Sequence, residues 1–291
     1  MRALFRTMRP KQWAKNAFVF AGILFDRQLL EAETFGRVIA AFILFSLTAS
    51  AIYLINDIVD IERDRLHPKK KNRPLPAGQL PIQMAITAAI TLPVIALGTA
   101  LAISLPLTAV LLTYFVMQLL YSFQLKNVVL IDVFIIAAGF VLRTIAGVVV
   151  INVTNFSPWL YVCVGLLALF LAVGKRRQEL ILLEDDAAKV RDTYKGYNMP
   201  LLDDLLRLVV TGTSIAYALY ATESDTALVE PEYMLLTVPI VYYALFRYLY
   251  VIHRLGMGGD PTDVLYEDRP LQMAIGVWGI MIFILLYVLQ K

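Results

Sequence analysis

The chain has 291 residues, of which 59% are hydrophobic and 17% charged, with a net charge of +3 and a mean hydropathy of +0.69. Soluble domains run at about half apolar and a quarter charged, so this composition excludes one and implies a polytopic membrane protein. A single cysteine, Cys163, set in an apolar run, excludes a disulfide framework and a thiolate metal site.

The first sixteen residues are basic, with Arg2, Arg6, Arg9, Lys11 and Lys15 around Pro10 and Trp13. No small-residue cleavage pattern follows, so the start reads as a retained segment rather than a signal peptide. Ala17 to Phe25 is too short to span a bilayer alone, and helix 1 is expected to start near Pro10 and run tilted through the interface. Helix 2 is expected over about Phe35–Ile55. Ala77 to Leu125 carries no charge and reads as two helices turning near Ser104–Pro106. Further spans are expected over about Val128–Val150, Pro158–Gly174, Arg207–Thr222, Tyr233–Ile252 and Pro270–Gln290. The expectation is an all-α protein of nine transmembrane helices in one domain, 1–291, with polar loops at about 62–81 and 175–206.

Charge placement tests this count. Nine spans starting inside put all but Arg27, Arg37, Arg143 and Lys291 of the 26 lysines and arginines on the cytoplasmic side or at its edge. The opposite loop Glu223 to Glu232 has acidic residues and no Lys or Arg. The basic residues are therefore explained by topology, and no nucleic-acid partner is implied. The reading is a multi-pass protein of the plasma (inner) membrane, in contact with membrane lipids, with its chemistry facing the cytoplasm.

Helix 2 ends in Asn56-Asp57-Ile-Val-Asp60-Ile-Glu-Arg-Asp64. On one helix the three carboxylates fall at i, i+3 and i+7 and share a face, with neighbours about 5–6 Å apart. Like charges so close repel, and a divalent cation makes the cluster tolerable. Oxygen ligands without clustered His or Cys favour Mg²⁺, which completes its shell with water and substrate phosphates. Asp57, Asp60 and Asp64 are thus candidate metal ligands for a diphosphate at a membrane surface. His67 and His253 have no metal-ligand spacing, and the glycine-rich run Gly256 to Asp263 lacks a phosphate-loop Lys-Ser/Thr and reads as a turn.

With Asn72-Arg73-Pro74-Leu75-Pro76-Ala77-Gly78 downstream, this motif resembles the first aspartate-rich motif and loop of the UbiA-type intramembrane prenyltransferase superfamily. The resemblance implies nine helices around a central cavity capped on the cytoplasmic side, and a Mg²⁺-complexed diphosphate held by aspartate motifs after helices 2 and 6. After helix 6, however, this chain reads Gly174-Lys175-Arg176-Arg177-Gln178-Glu179, and Glu184-Asp185-Asp186 does not reproduce the second motif's spacing. Basic groups in place of carboxylates suit a second phosphorylated substrate. Arg9 to Asn16, Tyr121 to Lys126 and Gly139 to Gly147 resemble the decaprenyl-phosphate phosphoribosyltransferase branch.

That branch implies transfer of phosphoribose from 5-phosphoribosyl 1-diphosphate (PRPP) to a polyprenyl phosphate, with release of diphosphate, for cell-wall arabinan-type precursors. Asp57, Asp60 and Asp64 then hold Mg²⁺ and Asn56 orients the diphosphate or ribose. Lys69 and Arg73 are candidates for the diphosphate. Lys15, Lys126, Lys175 and Arg176 are candidates for the lipid phosphate or the 5-phosphate, though topology alone also places cations at these helix ends. Tyr121 is a candidate cavity residue. Arg143, inside a span, reads as a substrate contact or a buried structural partner. Glu179 either replaces the missing acidic motif or pairs with Lys175 one turn before it. Prenyl transfer from a prenyl diphosphate to an aromatic or glycerol-phosphate acceptor is the nearer alternative. A transporter of a phosphorylated metabolite is the farther one and fits poorly, because the charged groups gather at one face. A homo-oligomer is compatible with the sequence.

Overall fold

The computed structural model describes residues 2–66, 70–153, 156–183, 192–223, 231–256 and 261–289. Lys69, His67, the acidic group Glu184-Asp185-Asp186 and residues 257–260 lie outside them. All regular elements among the described residues are helices, and eight are long and apolar enough to cross a membrane. The chain is an all-α, multi-pass membrane protein. Two compact units divide it: Met1–Ile135 with Gly139–Thr154, and Asn155–Lys291 with Ile136–Ala138.

The first unit holds α1 (Arg2–Thr7), a 3-10 helix (Pro10–Phe20), α2 (Ala21–Phe25), α3 (Ala32–Val59), α4 (Ile61–Leu66), α5 (Ile82–Ile103), α6 (Leu105–Phe123) and α7 (Ile131–Val150), with 3-10 turns at Lys70–Asn72 and Leu125–Asn127. The expected turn between the third and fourth spans is there: Ser104 caps α6 by accepting from the Leu107 amide, and Pro106 sits in the first helical turn. Ile90, Val94, Leu101 and Leu105 on α5 and α6 are exposed, as lipid-facing side chains should be. Val38, Phe45, Leu107 and Leu111 fill the core.

The expected first span takes an unexpected form, an 11-residue 3-10 helix followed by the single α-turn of α2. Runs of 3-10 beyond three or four residues are uncommon. A register match explains this one. Every third residue of a 3-10 helix advances about 6 Å, as does every fourth residue of an α-helix. The 3-10 segment and α3 run antiparallel with these rows aligned: Trp13 Nε1 donates to Ser50 Oγ at 3.0 Å and Asn16 Nδ2 to Ser46 Oγ at 2.9 Å. Further along, Phe20 packs on Phe42, ring centroids 5.7 Å apart. From α7, Gly147 and Val148 meet the backbone at Gly22. Arg143 on α7, 6% exposed, donates through Nε to Asn16 Oδ1 at 2.6 Å, through NH1 to the Gly139 carbonyl at 2.6 Å and through NH2 to the Tyr114 hydroxyl at 2.8 Å.

The second unit contains α8 (Pro158–Leu183), a 3-10 turn (Asp192–Gly196), α9 (Met199–Glu223), α10 (Pro231–Leu235), α11 (Val238–Arg254), α12 (Pro261–Glu267), α13 (Arg269–Phe283) and a closing π-turn (Ile284–Val288). Two differences from the sequence reading follow local chemistry. Helix α8 does not stop at Gly174 but runs to Leu183, because the Lys-Arg-Arg-Gln-Glu-Leu run consists of good helix formers. The expected span Tyr233–Ile252 is split into α10 and α11, with Pro239 in the first turn of α11. Inside the unit, Trp278 Nε1 donates to the Tyr217 hydroxyl at 2.7 Å, and that hydroxyl bonds Thr237 at 2.7 Å. Asp268 caps α13 by accepting from the Leu271 amide at 2.8 Å and takes both Nε and NH2 of Arg247, at 3.1 and 2.8 Å.

Candidate active site

Helix α3 carries the aspartate motif to its end but not through it. It stops at Val59, Asp60 forms the cap (φ −97°, ψ 10°), and α4 restarts at Ile61. The single face expected for the three carboxylates is thereby divided. Asp57, 1% exposed, and Asp64, 3% exposed, share one partner, because Arg73 NH1 lies 3.2 Å from Asp57 Oδ1 and 2.6 Å from Asp64 Oδ2. Asp60 instead takes Lys126 Nζ on both oxygens, at 3.0 and 2.9 Å. Lys126 is itself buried, on the 3-10 turn after α6.

Arg73 is held there by its own loop. The turn after it closes through Ala77 N to Arg73 O at 3.0 Å and Gln79 N to Pro74 O at 2.8 Å. Gly78 adopts φ +72°, open to glycine without strain. Leu75 and Leu80 are plugged into a small core with Leu54, Ala85 and Ala89. The Arg-Pro-Leu-Pro-Ala-Gly stretch is thus a clip whose apolar residues seat the arginine.

Sequence reasoning missed Arg9 as a site residue. Its NH2 donates to Asp57 Oδ1, and its guanidinium stacks 4.8 Å from the Tyr53 ring centroid. Arg9 has φ 54° and ψ 63°, a left-handed conformation that costs a non-glycine residue about 1–2 kcal/mol. Its signal was present: a cation immediately before the Pro10 that starts the 3-10 helix. Above Asp57 opens a cavity of about 230 Å³ lined by Arg6, Thr7, Arg9, Asn72, Arg73 and Pro74. At about 30 Å³ per water this holds several waters or the phosphates that displace them. Three guanidinium groups and an amide over a buried carboxylate make an anion-binding cleft with a cation-binding floor.

Among the described residues no three His, Cys, Asp or Glu side chains are grouped to hold a metal by themselves. The donor chemistry nonetheless fits a hard divalent ion, which needs one or two carboxylates and takes substrate phosphates and waters for the rest. Asp57 and Asp64, already bridged by one cationic nitrogen, are that pair. Asn56 on α3, Lys15 on the 3-10 helix and Tyr121 on α6 are each half-buried.

The second unit carries the basic group after the sixth expected span. Arg176, 2% exposed, donates through NH1 to Glu179 Oε2 at 2.6 Å. Tyr194, on the 3-10 turn before α9, also donates to Glu179 and was not read from sequence. Lys175 precedes them, half-buried. Arg177 pairs with Asp203 at 2.6 Å.

The chain matches the UbiA prenyltransferase family over residues 17–257. It is 33% identical over 281 residues to a decaprenyl-phosphate phosphoribosyltransferase of Mycobacterium tuberculosis (strain CDC 1551 / Oshkosh), covering 94% of this chain and 90% of that one. A protein of the same name from Corynebacterium glutamicum is 33% identical over 292 residues, covering 98% and 87%. The fold is that of a UbiA homolog from Archaeoglobus fulgidus bound to GPP and Mg²⁺, with a TM-score of 0.74, 18% identity, and 98% and 100% of the two chains covered. Family match, whole-length relatives and fold agree: the chain is a transferase and belongs to the UbiA prenyltransferase family.

Proposed function

We propose that the protein transfers the 5-phosphoribosyl group of PRPP to a polyprenyl phosphate, decaprenyl phosphate in its relatives' name, in a Mg²⁺-dependent reaction that releases diphosphate. The observation that carries this reading is the Arg6–Arg9–Arg73 cleft over Asp57 and Asp64. It is supported by the names of the relatives and by a buried Arg176 where two carboxylates would serve a prenyl diphosphate.

In this reaction a lipid phosphate oxygen attacks ribose C1, the C1–O bond to the diphosphate breaks, and its electron pair leaves with the diphosphate. The nucleophile is already an anion at neutral pH, so the protein supplies positioning and charge rather than a base. Mg²⁺, when bound, neutralises charge on the leaving diphosphate. Asp57 and Asp64 would hold it, and Asp60 would join them only on release from Lys126. Arg9 and Arg73, whose carboxylates then have another partner, turn their N–H groups to the diphosphate oxygens, and Asn56 and Lys69 are assigned to the same diphosphate. Lys15, Lys126, Lys175 and Arg176 are assigned to the lipid phosphate and the 5-phosphate, Tyr121 to the cavity wall, and Glu179 with Tyr194 to orienting Arg176. The site faces the cytoplasm, where PRPP is made, and residues 1–291 act as one catalytic domain.

The test is transfer of label from radiolabelled PRPP into polyprenyl phosphate by purified protein with Mg²⁺. Labelled lipid from wild type and none from Asp57→Ala is the expected result. No transfer, together with prenylation of 4-hydroxybenzoate from a prenyl diphosphate, overturns the reading in favour of conventional prenyl transfer.

A further inference from the structure

We propose that Arg143, Asn16, Ser46, Trp13 and Ser50 form a register lock that sets Arg9 beside Asp57, so that the intramembrane Arg143 is a positioning residue for the diphosphate cleft. The inference rests on the reading of that cleft given above.

An arginine inside a span is costly and is kept where it is paired or used. Each of the three nitrogens of Arg143 donates to the protein, and its guanidinium lies 4.7 Å from the Tyr114 ring centroid. The bond that reaches furthest along the chain goes to Asn16, which in turn donates to Ser46 on α3. Asn16 is therefore clamped between α7 and α3. One 3-10 turn earlier Trp13 is tied to Ser50, and four residues before that Arg9 meets Asp57. Ser50 Oγ shares its one proton between the Ser46 carbonyl at 2.7 Å and the Met8 carbonyl at 3.2 Å, so it also touches the residue next to Arg9.

The geometry makes the lock a ruler. If Pro10–Phe20 relaxed to an α-helix, the rise would fall from about 2.0 to 1.5 Å per residue. Over the six residues from Asn16 back to Pro10 the arm would shorten by about 3 Å, more than a hydrogen bond tolerates. Arg9 would then leave Asp57. Its left-handed backbone (φ 54°) has the same requirement, since such conformations persist only where the surroundings over-determine them. The polar pairs Trp13–Ser50 and Asn16–Ser46 work only in the 3-10 register, and Arg143 fixes the far end of the scale.

The experiment is a double-mutant cycle on binding of Mg²⁺–pyrophosphate, measured by calorimetry on the purified full-length chain in nanodiscs. Pyrophosphate is a product of phosphoribosyl and of prenyl transfer alike, so the result does not depend on which substrate is right. Arg9→Gln should weaken binding about tenfold and Ser50→Ala about threefold, the worth of one charged and one neutral hydrogen bond. Arg9→Gln/Ser50→Ala should be no weaker than Arg9→Gln alone, because Ser50 acts through Arg9. Trp13→Phe, which keeps the ring, and Arg143→Lys, which cannot bond Asn16 and Tyr114 together, should each behave as Ser50→Ala does and add nothing to Arg9→Gln. Multiplicative losses in the double variant, or unchanged binding in both Ser50→Ala and Trp13→Phe, overturn the lock. Wild type that fails to bind Mg²⁺–pyrophosphate overturns the cleft reading itself, and the lock with it.

Discussion

Gly147 lies so close to Val19 that a Cβ placed on it would stand 1.8 Å from the Val19 carbonyl oxygen. No rotamer relieves a clash with backbone, so Gly147→Ala must push α7 off the 3-10 segment. Overpacking of this kind costs about 1–3 kcal/mol, and more when backbone meets backbone. The expected outcome is a melting temperature in detergent lowered by several degrees, while Gly98→Ala, inside α5 with nothing within 4 Å of its Cβ, melts at or above wild type.

The Asp57–Arg73–Asp64 bridge predicts an asymmetry between its members. Arg73→Ala leaves two buried carboxylates without that partner, and breaking a buried pair costs about 3–5 kcal/mol. Part of that loss should be recovered on adding Mg²⁺–pyrophosphate, which supplies positive charge to the same oxygens. Asp57→Asn should show the reverse pattern: a modest change in melting temperature, and a kcat/KM lower by at least about a hundredfold, or roughly 2.7 kcal/mol. Thermal shift with and without the ligand, alongside turnover, separates the two.

The three aspartates are all satisfied by cations of the chain, so a bare divalent ion must displace Arg9, Arg73 or Lys126 and leave them unpaired. A diphosphate gives those cations a new partner. Metal alone should therefore bind at least about tenfold more weakly than metal with pyrophosphate present, a difference of about 1.4 kcal/mol. Titration of Mn²⁺ by its paramagnetic signal, with and without pyrophosphate, measures this coupling. Equal affinity in both arms would rule out the exchange of partners.

Asp268 gives a pH dependence away from the cleft. Hydrogen bonds from Arg247 hold its carboxyl below the ordinary value of 3.8, against the opposing effect of burial, with the Leu271 amide helping. A depressed folded-state value means stability that is fully present above the unfolded value and is lost as pH falls through the folded one. Asp268→Asn should thus be less stable than wild type by about 1–3 kcal/mol at pH 7. The gap should hold down to about pH 5 and narrow below about pH 4. Melting curves of both proteins between pH 7 and 3 test the sign as well as the size.

What the sequence disclosed was what lies on one element. The aspartate spacing, the Ser104–Pro106 turn and the intramembrane Arg143 are each legible within a few residues. Arg9 was hidden because its partner is 48 residues away and a cation in a basic arm already has a topological explanation. Tyr194 was hidden likewise, reaching Glu179 from a loop with no periodicity to read. The 3-10 form of Pro10–Phe20 has no local signature at all. It follows from the spacing of Ser46 and Ser50 on another helix, and the split of the acidic face follows from Lys126 drawing Asp60 aside.

The bond from Arg143 to Asn16 spans 127 residues. The groups that seat the arm lie on α3, α6 and α7. The placing of one arginine beside Asp57 thus draws on segments spread across the first unit, and a change far along the chain at Arg143 is felt at the aspartate site.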